Sequence, residues 1–83
     1  MTAPTAHRLD ELPRLVRHAW VQALGHENFT DDDYFFGVGG NSLLAIRVMA
    51  TLSEELGVRL PLRLLFDHQT VTDLATALAA SRS

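Results

Sequence analysis

At 83 residues, with 47% apolar residues and no cysteine, the chain makes one domain with a modest core and has neither disulfides nor thiolate metal sites. Its formal charge of −3, with seven scattered arginines and no lysine, lacks the gathered basic patch of a nucleic-acid binder. No apolar run approaches the roughly 20 residues of a membrane span, and "MTAPTAHRLD" lacks the apolar core of a secretory signal. A soluble, cytoplasmic monomer that binds neither nucleic acid nor membrane is therefore expected.

The first predicted helix runs from about residue 10 to 24. At about 100° per residue, Leu9, Leu12, Val16, Ala19, Trp20 and Ala23 form one stripe, and Arg14, Arg17, His18 and Gln22 fall away from it. Asp10 can cap its start, Pro13 is tolerable in the first turn, and Gly25 ends it. A long connection over 25–41 comes next. Phe29, Tyr34, Phe35 and Phe36 are expected to pin it to the core, with one short helical turn near Asp33 to Phe36. Asp31, Asp32 and Asp33 invite a metal reading, but Phe35 and Phe36 break the calcium-loop pattern, which leaves a solvated acidic loop.

The second helix is predicted over Ser42 to Leu56, ended by Gly57, with Leu44, Ala45, Val48, Met49, Leu52 and Leu56 on its core side. A short turn in "PLRLLFDH" directs Leu62, Leu65 and Phe66 inward. The last helix starts at Thr70, with Thr70 and Asp73 as a capping pair and Val71, Leu74, Ala75 and Leu78 as its stripe. "AASRS" then frays, and residues 1–8 and 81–83 are expected to be disordered around a 9–80 core. Nothing alternates with period two over a useful length. The fold class is all-α: a four-helix bundle of three main helices plus a short one.

"GVGGNSLLAIRVMA" is the stretch that points to function. Ser42 stands where a glycine-rich loop turns into a helix. Leu43, Ile46 and Ala50 fall within about 100° of it, off the core stripe, so the helix has a second apolar face that begins at the serine. Ser42 has a plain reading as an N-cap, and Leu43 and Ile46 one as scattered surface apolar residues. A catalytic serine is disfavoured, because Gly40-Asn41-Ser42-Leu43-Leu44 lacks the second glycine of a nucleophile elbow and its strand. The histidines His7, His18, His26 and His68 read as surface residues. A phosphate-cradling loop needs a lysine after its last glycine, and the chain has none. One reading covers the whole stretch. A helix N-terminus favours an anion, the glycines let a foreign active site approach the hydroxyl, and the apolar face gives that enzyme a grip. Ser42 is then an attachment point handled by other enzymes.

On its motifs the chain resembles the peptidyl carrier proteins, or thiolation domains, of nonribosomal peptide synthetases, within the phosphopantetheine-binding acyl carrier superfamily. Asp33, Phe35, Phe36, Gly39, Gly40, Ser42 and Leu43 match the attachment signature. Gly57-Val58, Leu60-Pro61-Leu62, Phe66, Thr70-Val71 and Leu74-Ala75 match the family's pattern downstream of it, so that the resemblance covers residues 9 to 80. It implies a non-catalytic four-helix bundle that carries 4′-phosphopantetheine on Ser42, with Gly40 and Asn41 beside the attachment. A phosphopantetheinyl transferase installs the arm from coenzyme A. An adenylation enzyme loads it with an aminoacyl group as a thioester, and condensation or tailoring enzymes use the cargo. Leu43, Ile46, Ala50 and Arg47 are the expected partner-binding residues. Val38, Gly37, Asn41 and Gln69 depart from the commonest family residues at their positions. The apolar face beside Ser42 favours the peptidyl branch over acyl carriers of fatty acid synthesis, whose second helix is acidic. An acyl or aryl carrier of a polyketide-type pathway, and an unmodified helical adaptor, are the alternatives. The start at Met1 and the short tail suggest a free-standing carrier.

Overall fold

A computed structural model describes residues 11–82, with four α-helices and one 3-10 turn. The helices are α1 (Leu12–Leu24), α2 (Ser42–Leu56), α3 (Arg63–Asp67) and α4 (Val71–Arg82), and the 3-10 turn is Phe35–Val38. No strand occurs among the described residues. Leu9, the Asp10 cap and the expected disorder of 1–8 and of residue 83 lie outside them.

Pro13 sits in the first turn of α1, where its missing N–H has no helical partner to lose. Leu12, Val16, Ala19 and Trp20 bury one stripe of that helix, which packs on both α2 and α4. From α2 come Ala45, Val48, Met49, Leu52 and Leu56; from α4, Val71, Leu74, Ala75 and Leu78. Leu44 packs against this core half-buried. Gly25 and Gly57 end α1 and α2 in left-handed backbone. Thr70 caps α4, its Oγ1 accepting the Asp73 N–H at 3.0 Å. The helix then continues to Arg82, through the stretch expected to fray.

Trp20 forms the centre of the core, with Phe29 at 5.4 Å and Phe35 edge-on at 5.0 Å between ring centroids. Its indole N–H has no hydrogen-bond partner among the described residues, a cost of about 1–3 kcal/mol. Removing an aromatic ring of about 150–250 Å² from water is worth about 4–6 kcal/mol, so burial outweighs the orphaned donor.

The 25–41 connection departs from expectation in detail. Phe29 and Phe35 are buried, but Tyr34 is 65% exposed and Phe36 is exposed as well. In α3 only Leu65 is fully buried, while the Phe66 ring points out and stacks on Phe36, centroids 5.6 Å apart and rings 11° from parallel. The two exposed phenyl rings cover each other and link α3 to the 3-10 turn. The helical turn itself starts at Phe35, not Asp33, because the Phe35 N–H is taken by the Gln69 carbonyl at 2.8 Å.

The acidic run is tied down, not merely solvated. Asp31 pairs with Arg17 at 3.1 Å, Asp32 accepts from the Thr72 hydroxyl at 3.5 Å, and Asp33 accepts the Thr30 N–H at 2.8 Å. Arg17 also donates to the carbonyls of Phe29, at 3.0 Å, and Glu27, at 3.3 Å, with its guanidinium 4.3 Å over the Phe29 ring. It is a clamp from α1 onto the connection. Arg17→Met keeps the stem and removes those bonds. It is expected to cost about 1–3 kcal/mol, read as a lower urea midpoint at unchanged slope.

Candidate functional site

The chain enters α2 at an exposed corner. Asn41 lies in extended backbone, and its Oδ1 accepts the Leu44 N–H at 2.9 Å while its carbonyl accepts the Ala45 N–H at 2.8 Å. Asn41 is therefore the N-cap, and Ser42 is the first helical residue. This corrects the reading of Ser42 as a cap, and the chemical consequence is direct. Relieved of capping, the hydroxyl of this exposed residue makes no hydrogen bond among the described residues. The N–H groups of Ser42 and Leu43 also lack acceptors there, as first-turn amides do. With the helix dipole, they favour negative charge at this corner. An accessible nucleophilic oxygen beside unpaired amides fits an anionic phosphodiester.

Gly39 is required by its backbone conformation and Gly40 by packing. Gly39 adopts φ +108, a left-handed conformation that side chains resist. At Gly40 a Cβ would overlap Cδ2 and Cε2 of the buried Phe35 ring and lie 2.7 Å from the Phe35 carbonyl oxygen. The Gly40 N–H donates to that same oxygen at 3.0 Å. The loop is thus pressed onto Phe35, and through it onto Trp20. Around Gly37 nothing requires glycine, since a Cβ there meets only Tyr34 Cβ at 3.9 Å.

Beyond Ser42, the outer side of α2 is apolar. Leu43 is 61% and Ile46 49% exposed, and Ala50 and Arg47 are exposed with them. An open groove continues this face between α2 and the segment after Gly57, lined by Ile46, Met49, Ala50, Ser53, Leu60 and Leu62. Val48, less than one turn from Ile46, is fully buried, so the two faces of α2 are cleanly separated.

The sequence presents His26 as a surface histidine, yet it is half-buried and bonded on both sides. Its Nε2 is 2.8 Å from the Val38 carbonyl oxygen, and its Nδ1 is 2.9 Å from the Asn28 nitrogen. Neither this contact nor the Arg17 clamp is visible in periodicity. The one hint is a histidine directly after the glycine that stops α1.

Comparisons with known proteins agree with this geometry. The family model described as "Phosphopantetheine attachment site" matches residues 14–78. Phosphinothricin tripeptide synthetase PhsC of Streptomyces viridochromogenes is 40% identical over 75 residues, 90% of this chain and 7% of that protein. Tyrocidine synthase 3 of Brevibacillus parabrevis is 39% identical over 72 residues, 87% of this chain and 1% of that protein. The chain thus spans only a small fraction of these relatives. Among solved structures, BlmI, a type-II acyl-carrier-protein from Streptomyces verticillus involved in bleomycin biosynthesis, superposes with a TM-score of 0.86 at 26% identity, covering 92% of each chain. A chain from the structure of the phosphopantetheine transferase Sfp in complex with coenzyme A and a peptidyl carrier protein superposes with a TM-score of 0.77. It is 32% identical, with 96% of this chain and 99% of that one covered. A family match that runs from α1 to α4, laid over an outward serine at the head of α2, identifies the chain as a carrier domain of the phosphopantetheine-attachment family.

Proposed function

We propose that Ser42 bears the 4′-phosphopantetheine and that the chain is a non-catalytic peptidyl carrier, presenting an aminoacyl or related acyl group to the enzymes of nonribosomal peptide or similar natural-product assembly in the cytoplasm. The observation that carries this is the division of labour at the head of α2. Asn41 caps the helix, and the Ser42 oxygen is left exposed and without a hydrogen bond among the described residues. When attached, the arm supplies the thiol that a chain without cysteine lacks, and holds the cargo as a thioester. The protein's own part is to present the serine, to favour the phosphodiester charge with the first amides of α2, and to offer Leu43, Ile46, Ala50 and Arg47 as the face on which the transferase, the adenylation enzyme and the condensation or tailoring enzymes dock. The peptide synthetases among its relatives support the peptidyl assignment.

Incubation with coenzyme A, magnesium and a promiscuous phosphopantetheinyl transferase is expected to add the mass of one phosphopantetheinyl group, and Ser42→Ala is expected to add none. Intact-protein mass spectrometry decides it. A folded wild-type chain that gains no mass, or a Ser42→Ala variant that gains it, removes the proposal.

A further inference from the structure

His26 joins two backbone groups on opposite sides of its ring. A backbone N–H can only donate and a carbonyl can only accept. The Asn28 N–H at 2.9 Å therefore requires a lone pair on Nδ1, and the Val38 carbonyl at 2.8 Å requires the proton on Nε2. The contacts thus select one neutral tautomer. The ring is further held edge-on to Phe29, centroids 6.1 Å apart. His26 follows Gly25, the C-cap of α1, so its backbone leaves directly from the end of that helix. Val38 is the last residue of the 3-10 turn, and Gly39, Gly40, Asn41 and Ser42 follow it directly. From that carbonyl onward the backbone passes through two glycines, whose N–H groups both return to the Phe35 carbonyl, before reaching the serine.

We infer that His26 is a positioning residue for the modification of Ser42. Its imidazole ties the end of α1 to the Val38 carbonyl, and so, together with the Phe35 contacts of Gly39 and Gly40, sets where the glycine pair delivers the Asn41 cap and the serine oxygen. The inference rests on Ser42 being the acceptor. The bond is only partly buried, and water can replace it at the carbonyl, so stability depends on it modestly. Transfer to the hydroxyl is more demanding, because a displacement of about 1 Å can cost about 100-fold in rate.

Steady-state phosphopantetheinyl transfer to the wild type and two variants tests this, together with the proton's location. His26→Phe keeps a ring against Phe29 and loses both bonds. Its kcat/KM is expected to fall about tenfold, mainly in kcat, because the apolar docking face is untouched. His26→Gln retains a side-chain N–H for the Val38 carbonyl and is expected to return to within about threefold of wild type. A long-range ¹⁵N–¹H spectrum of the wild type, recorded above the usual titration range of imidazole, is expected to show the proton on Nε2 and a bare Nδ1. Unchanged kcat/KM in a folded His26→Phe overturns the inference, as does a Gln variant no better than Phe, or a proton on Nδ1. If His26→Phe does not fold, the Gln variant and the spectrum decide. A wild-type chain that accepts no group at all refutes the Ser42 reading itself and the inference with it. A wild type that is modified normally, alongside His26 variants that match it, refutes the inference alone.

Discussion

Gly40→Ala is expected to melt about 12–24 °C below the wild-type protein. Its added methyl group has nowhere to go. It meets two carbons of the Phe35 ring and, at 2.7 Å, the Phe35 carbonyl oxygen. Phe35 has no exposed surface and abuts Trp20, so it cannot turn aside without reopening the centre of the core. Overpacking of this kind costs about 1–3 kcal/mol, and the upper end applies because backbone as well as side chain must move. In a domain of this size each kcal/mol lowers the melting temperature by about 4–8 °C. Gly37→Ala is the control and should melt with the wild type, because its methyl group makes only an ordinary contact, 3.9 Å from Tyr34 Cβ. Thermal denaturation followed by circular dichroism compares the two. A Gly40→Ala protein that melts with Gly37→Ala would show that Phe35 does not demand the glycine.

Val48→Asp is expected to abolish folding, whereas Leu43→Asp and Ile46→Asp, on the same helix, keep it. Val48 has no exposed surface, and an unpaired carboxylate placed there costs several kcal/mol or neutralises. A folded domain holds only about 5–15 kcal/mol in reserve, and small ones sit at the low end. Leu43 and Ile46 are already about half in water. An acid at position 43 also lies in the first turn of α2, where the helix dipole favours it by about 0.3–1 kcal/mol. Far-ultraviolet circular dichroism should therefore show coil for Val48→Asp and helix for the other two. On our reading of the site, those two folded variants are modified or loaded poorly. Leu43→Ala distinguishes loss of apolar contact from charge repulsion against the anionic donor, since it removes the first without adding the second. Loss of helicity in both surface variants would mean that the two faces of α2 have been assigned wrongly.

Much of the bundle could be read from the chain because three helices each bury a stripe. Leu12, Val16, Ala19 and Trp20, the α2 set from Ala45 to Leu56, and Val71 to Leu78 all recur at helical spacing and all face inward. The glycines that end α1 and α2 are equally plain. What periodicity does not define, it does not orient. Phe36 and Phe66 are as apolar as Phe29 and Phe35, and Tyr34 is aromatic like them, yet all three lie outside; short turns have no repeat to fix side-chain direction, and in the 3-10 turn it follows from the Phe35 N–H bonding the Gln69 carbonyl. Asn41 and Ser42 are both good capping residues one position apart, and only the extended backbone at Asn41 separates their roles. The Arg17 and His26 contacts span 10–14 positions and depend on tertiary proximity, on which a single sequence is silent.

The chain's single tryptophan is buried against the same Phe35 ring that Gly40 touches, and its indole nitrogen is buried without a hydrogen-bond partner among the described residues. The domain therefore contains its own optical probe. Indole emission depends on its immediate surroundings, so a disturbance of the loop that reaches Phe35 changes the colour or brightness of that light, without any label attached to the surface.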